Sequence, residues 1–442
     1  QFRNEWDVTM SACSRGSAMK LLTRGMLAAA IPMIFLAVPA YAQDSAVYTQ
    51  CKEETTLHPD TDGLPGEPGI KCMHLAGGDG MVTMADGEPI YIFGFAEIPM
   101  PGEALQEGGN APELGDGYAG WAMDYGILAA EAPAPTIELD EDDELFLTLT
   151  NVGMAMRPDL FDGHTVHWHG FPEASSVFDG VPDASIAVNM GASLTYYYNV
   201  KDAGTYMYHC HVEATEHMQM GMLGNLYVHP RQNKLPATEF ANGFAHTPWD
   251  PETETGNRYA YNDGDGSTAY DKHYPIQIGS FDKGFHDASY TVQPLPFSDM
   301  KDTYFLLNGR GYPDTVAGDD VITTGGENRQ PVSSLIEAKA GERILLRVSN
   351  HNVTQFNTLG TNGPPMEVVA LDARLLRADD DTNMYYKTNS LTLGGGQSAD
   401  VIIEIPAGTQ SGTTFFLYST NLEMLANHRD NFGGMMTEIR VN

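Results

Sequence analysis

His164-Thr165-Val166-His167-Trp168-His169-Gly170 opens, and His209-Cys210-His211, His217 and Met222 close, the stretch that decides how this chain is read. Six of the fourteen histidines and one of the four cysteines in 442 residues fall inside it. On a strand, successive side chains point to opposite faces and residues two apart share one. His167 and His169 then share a face, His209 and His211 share a face, and Cys210 points the other way. His164, an odd number of residues from His167, falls opposite the His167/His169 pair. Two ligand sets follow. His164, Cys210, His217 and Met222 supply two imidazoles, a thiolate and a thioether, the soft set with a weak axial ligand that suits a blue, type 1 copper. His167, His169, His209 and His211 supply four imidazoles for additional copper. A lone histidine or methionine is ordinarily a packed core residue, but matched spacing at both ends of the window points to metal.

The two clusters, H-x2-H-x-H-G and then H-C-H with a later His and x4-Met, resemble the copper motifs of the multicopper oxidase family. Five residues separate His211 from His217 where that family usually has three, a longer loop similar to that of the related copper nitrite reductases and expected to tune the redox potential. The resemblance implies an all-β chain of two consecutive cupredoxin-like Greek-key domains. It also implies a path for electrons: from an external donor, small molecule or redox protein, to copper at Cys210, and on through His209 and His211 to a catalytic four-histidine face. Oxygen is the expected acceptor and nitrite the second choice.

Residues 19–42 read as a secretory signal, with Lys20 and Arg24 before an apolar run and Ala40-Tyr41-Ala42 as a small-residue cleavage motif. Residues 1–18 read as upstream of the true start. The apolar run falls short of the roughly 20 residues that span a bilayer and contains Pro32, so cleavage and release, periplasmic or secreted, is expected rather than a stable membrane anchor. A net charge of −35 excludes nucleic-acid binding, which depends on Lys and Arg neutralising phosphates. In an exported chain Cys51 and Cys72 are expected to form a disulfide within an N-terminal extension, residues 43–87.

Short alternating runs punctuated by Gly, Pro and Asp recur from residue 88 onward; residues 144–151, with Leu145, Leu147 and Leu149 set against Phe146, Thr148 and Thr150, are the clearest. They indicate a copper-binding sandwich over residues 88–230, a proline-rich linker over 231–270 with a solvated turn at Asp263-Gly264-Asp265-Gly266, and a second sandwich over 271–442. Residues 340–350 mirror 142–151 and residues 415–418 mirror 204–208, so the second unit repeats the first.

The repeat has lost its ligands. Asn357-Thr358-Leu359-Gly360 and Ser419-Thr420-Asn421 stand where the family would have H-x-H-G and H-x-H, and no cysteine follows Cys210. The nitrite-reductase pattern also fails, since its second-domain histidine position holds Thr420 and its catalytic aspartate position holds His167. His351 and His428 are the second-domain histidines nearest the vacant slots. Two readings therefore stand. One is an exported copper oxidoreductase; the other is a non-catalytic blue-copper electron carrier or copper-handling protein. The retained four-histidine face favours the first, because a carrier has no use for it. Half a cluster also needs a second cupredoxin surface, for which a homotrimer is the expected source.

Overall fold

Ile70–Thr83 forms strand β1, so the first sandwich starts well before residue 88. Its Gly77-Gly78-Asp79-Gly80 run is made of residue types depleted in strands. In the fold these residues answer close approach and buried polarity. A Cβ at Gly78 would lie 2.7 Å from Val152 Cγ2. The buried Asp79 carboxylate accepts from Tyr91 Oη and from the Ala155 and Met156 amides, each at 2.9 Å. The disulfide between Cys51 and Cys72 forms, with Cα atoms 5.7 Å apart, and ties the segment ahead of β1 to the strand. Residues 70–87 thus belong to the sandwich rather than to an extension.

The computed structural model describes residues 47–61, 68–106, 108–240, 244–318 and 328–442. The expected signal segment, 19–42, lies outside them. After β1 come β2 (Pro89–Glu97), α1 (Tyr118–Gly126), β3 (Ala134–Asp140), β4 (Glu144–Gly153), β5 (His167–His169), β6 (Ser193–Asn199), β7 (Gly204–His209), α2 (Ala214–Gln219) and β8 (Leu223–His229). They make two four-stranded sheets, ordered β2-β1-β4-β6 and β3-β8-β7-β5. Leucines 145, 147 and 149 of β4 enter the core between the sheets with Trp168, Tyr196, Tyr198 and Cys210.

The linker carries a small hairpin, β9 (Arg258–Tyr259) and β10 (Ala269–Tyr270). Its expected solvated turn is exposed at Asn262, Gly264 and Asp265, but Asp263 is 3% exposed, and its carboxylate caps the Gly266 and Thr268 amides at 2.8 and 2.6 Å. The second sandwich comprises β11 (Lys272–Phe281), α3 (Lys283–Tyr290), β12 (Tyr304–Leu307), β13 (Ile336–Ala338), β14 (Arg343–Asn350), β15 (Asn357–Thr361), β16 (Met366–Leu371), β17 (Arg374–Leu375), β18 (Tyr386–Thr388), β19 (Ser390–Leu393), β20 (Ser398–Glu404), β21 (Thr414–Ser419) and β22 (Met436–Val441). Its sheets contain the runs β12-β11-β14-β20 and β13-β22-β21-β15, which repeat the first domain's orders strand for strand. The parallel pairs recur as well: β1 with β4 becomes β11 with β14, and β3 with β8 becomes β13 with β22. β16 to β19 are the insertion that sets the second copy apart.

The described residues from 47 to 442 belong to one compact unit. At the joint β14 and β20 meet β7. There Arg347 and Asp400, both buried, face each other at 3.5 Å. Thr205 Oγ1 of β7 and Tyr261 Oη of the linker each donate to Asp400 at 2.6 Å, and Ser398 Oγ donates to the Thr205 carbonyl at 2.7 Å. Such a buried pair contributes little net stability, since desolvation offsets its attraction, but it fixes how two surfaces register. The strand it fixes is the one that ends in His209.

Candidate metal centre

β5 and β7 pair antiparallel with His167 opposite His209 and His169 opposite Met207. Trp168, between the two histidines, points the other way and stacks on Tyr198 with centroids 3.7 Å apart and planes 8° from parallel. That buried aromatic anchor is worth about 0.5–1.5 kcal/mol beyond its burial and holds a three-residue strand in place. β7 ends at His209, so Cys210 and His211 lie just past the regular ladder. The Cys210 amide donates to the Met222 carbonyl at 3.3 Å, and the Met222 amide to the His217 carbonyl at 2.9 Å. The residues that lengthen the His211–His217 spacing are absorbed by α2, which contains His217.

The first predicted set comes together. Cys210 Sγ lies 3.2 Å from His217 Nδ1 and 3.9 Å from His164 Nδ1, and all three residues are buried. Met222 is 0% exposed beside them, held by the backbone bonds just described. His164 is outside β5; an isolated bridge to Val188 places it. Burial alone would push the Cys210 thiol up, but His164 and His217 outweigh it and bring it down to about 5. Burial would lower His217, yet Asp162 and the Cys210 sulfur raise it to about 10. Asp162 Oδ2 is 3.8 Å from His217 Nε2, beyond hydrogen-bond reach but close enough to act by charge. The Thr165 amide points at Cys210 Sγ from 3.5 Å, while its hydroxyl accepts from the His211 amide at 3.1 Å.

On the opposite side of β7, His167, His169 and His209 form a second compact group, with one ring nitrogen from each within 4.8 Å of the others. His211 falls outside that group, although its ring centroid is 5.1 Å from that of His167. His167 Nδ1 bonds the Asp179 carbonyl at 2.6 Å and His209 Nδ1 the Cys210 carbonyl at 2.9 Å. Each bond orients a ring and turns its Nε2 away from the backbone, the usual support of a metal-ligating histidine. His209 Nε2 lies 3.2 Å from His169 Nδ1. Burial lowers all three, His209 to about 3, so they stay neutral with lone pairs available.

The chain's own second domain meets this face. His167, His169, His209 and His211 line a cavity of about 440 Å³ together with residues 352–356 and Gly395-Gly396. The second domain of the same chain thus supplies part of the surface that faces the four histidines. Gly396 approaches most closely: it has φ +85°, and a Cβ there would lie 2.8 Å from His169 Nε2. Gly396→Ala is expected to cost about 1–3 kcal/mol from the left-handed backbone alone and to displace the His169 ring. Denaturant unfolding and copper titration of the variant check both effects; wild-type values in the two would remove the role given to this turn.

The other second-domain expectations divide. β15 occupies the place of β5 but presents no histidine, and Thr420 bonds its amide to the Thr358 carbonyl at 2.9 Å. His428 is exposed against the Tyr304 ring, away from the cavity lining. His351, by contrast, is buried in the second domain, and the charges bearing on it are those of His209 and then His169. Asp162, Asp179, Thr165 and Gly396 were not legible as site residues, because only tertiary contacts bring them to the ligands.

Residues 124–233, the segment from α1 through β8 and just beyond, match the profile of the multicopper oxidase family. That segment of the chain is similar to the multicopper oxidases. A multicopper oxidase of Talaromyces pinophilus is 31% identical over 126 residues, which is 28% of this chain and 19% of that protein. The chain thus matches about a fifth of that relative's length. Among solved structures, the blue copper oxidase of Nitrosomonas europaea aligns with TM-score 0.56 at 20% identity, covering 84% of this chain and 86% of that one. A copper nitrite reductase of the same organism aligns at 0.50 and 14%, covering 84% and 94%. At such identities these structures establish the all-β cupredoxin fold over both domains.

Copper is the cofactor that similarity to multicopper oxidases implies. The residues present fit it. Two buried imidazole Nδ1 atoms and an acidic thiol converge on one point, and three neutral imidazoles converge on another.

Proposed function

We propose that this protein is an exported, copper-dependent oxidoreductase of the multicopper oxidase type. His164, Cys210, His217 and Met222 would hold a type 1 copper, and His167, His169, His209 and His211 would hold further copper. Bound there, copper supplies reversible one-electron chemistry with a thiolate-tuned potential at the first site and a place for an acceptor to coordinate at the second.

The observation that carries the reading is the position of Cys210 between His209 and His211. One side chain of the tripeptide belongs to the buried sulfur group and its neighbours to the histidine face, so a few covalent bonds join the two. The chain's own residues shape both sites. His164 and His217 keep the thiol deprotonated, the Thr165 amide reaches the sulfur, and the Asp179 and Cys210 carbonyls fix the His167 and His209 tautomers. An external donor would deliver electrons at the first site, and oxygen, or in second place nitrite, would take them at the face. The expected signal over residues 19–42 supports a periplasmic or secreted location, suited to a chain with a Cys51–Cys72 disulfide.

The carrier reading keeps one observation on its side, the missing second-domain H-x-H pairs. Copper content with turnover separates the two. Fully loaded wild type is expected to hold more than one copper per chain and to consume oxygen or nitrite with an artificial donor. One copper per chain and no turnover would leave only the carrier.

A further inference from the structure

The residues Asn350-His351-Asn352, at the end of β14, hold a buried imidazole for which nothing above accounts. Both asparagines are bonded. Asn350 Nδ2 donates to the Leu393 carbonyl at 2.8 Å, and its Oδ1 accepts from the Asn352 amide at 3.0 Å. Asn352 Oδ1 accepts from the Thr354 and Gln355 amides at 2.7 and 2.8 Å. His351 is 1% exposed, and neither Nδ1 nor Nε2 has a hydrogen-bond partner among the described residues. Leaving a buried polar atom unpaired costs about 1–3 kcal/mol, and an imidazole has two such atoms. A native structure that tolerates this has a further partner for the ring.

The surroundings point to which partner. Asn352, the next residue, lines the cavity into which the four first-domain histidines project. Burial first, then His209 and His169, lower His351 to about 3, so it is neutral with a lone pair free. The other second-domain histidines near the joint are committed. His286 bonds the Tyr91 and Gln219 carbonyls at 2.6 and 2.9 Å, and His273 Nδ1 accepts from Arg347 at 3.3 Å.

We propose that His351 is the second domain's ligand to copper held by the His167, His169 and His209 group, making the site span the joint between the domains. The proposal rests on the reading of that face as a copper site. It assigns the ligand to a strand end six residues ahead of Asn357, where the H-x-H slot begins. His351 lies outside the compact group itself, so a side-chain rotation toward the adjoining cavity accompanies ligation. The buried Arg347–Asp400 pair on β14 and β20 holds the strand that carries His351 in register with β7.

The test uses Cys210→Ser, in which the type 1 signal is absent, titrated with Cu(II) and examined by pulsed EPR for coupled imidazole nitrogens. Adding His351→Ala is expected to remove one imidazole from the spectrum and to weaken Cu(II) binding by about 10- to 100-fold or more. The blue absorption of the His351→Ala single variant reports its folding. If that variant does not fold, His351→Phe, which keeps the volume and removes the nitrogens, takes its place. An unchanged imidazole count and affinity in a folded variant overturns the His351 ligand and leaves the histidine face standing. Failure of Cys210→Ser to take up any Cu(II) at the face overturns both.

Discussion

Cys210→Ser is expected to be colourless when fully copper-loaded, where oxidised wild type shows intense blue thiolate-to-copper absorption. Burial favours the neutral thiol, but His164 and His217, at 3.9 and 3.2 Å from the sulfur, bring its pKa to about 5. The sulfur is therefore a thiolate at neutral pH and ready for a soft metal. A serine hydroxyl in the same pocket, with a far higher pKa and hard oxygen, neither ionises nor gives the charge-transfer band. Absorption spectroscopy with a copper count reads the result: the band should vanish and copper at this site should fall, while copper on the histidine face stays. A copper-loaded wild type without the band would refute the type 1 assignment outright.

The double variant His167→Ala/His169→Ala is expected to do the converse, keeping the blue band and losing turnover to the level of copper-free protein. Both residues lie on β5, and the group they form with His209 is on the side of β7 away from the Cys210 sulfur. Truncating them leaves Trp168 stacked on Tyr198, so the strand and the core behind it persist. Both ligands from β5 are then gone, and the imidazoles that remain hold copper at the face too weakly for turnover. Steady-state consumption of oxygen and of nitrite, measured beside the visible spectrum, separates the sites. A double variant that turns over at the wild-type rate would show that the four-histidine face is not where the acceptor reacts.

Much of this site was readable because it is local. Strand parity placed Cys210 on one side and His209 on the other, and the two groups form as that parity requires. Parity also assigned His164 to the Cys210 side, although an isolated bridge to Val188, not a continuous strand, delivers it there. His211 shows the limit of the rule: the ladder stops at His209, and His211 then falls outside the compact group. The repeated architecture was legible because Leu145, Leu147 and Leu149 alternate with Phe146, Thr148 and Thr150 along β4 and a similar run recurs at 343–350, although both strands are buried on both faces. β1 was not legible. Its glycines and Asp79 are there for a neighbouring strand and a buried hydrogen-bond network, and neither leaves a periodic mark.

The sequence by itself determined which atoms can bind metal and that two sets of them flank one cysteine, since ligand chemistry and alternation within a strand are properties of a few consecutive residues. Only the tertiary structure decided what meets the histidine face. Gly396, where a Cβ would lie 2.8 Å from His169 Nε2, the cavity shared with residues 352–356, and the His351 ring buried without a partner among the described residues all depend on β14 and β20 packing against β7. That packing is set by a carboxylate, a guanidinium and two hydroxyls drawn from residues 205, 261, 347 and 400. Contacts between residues so far apart along the chain leave no spacing to read, because their partners are chosen by the folded surfaces and not by position in sequence.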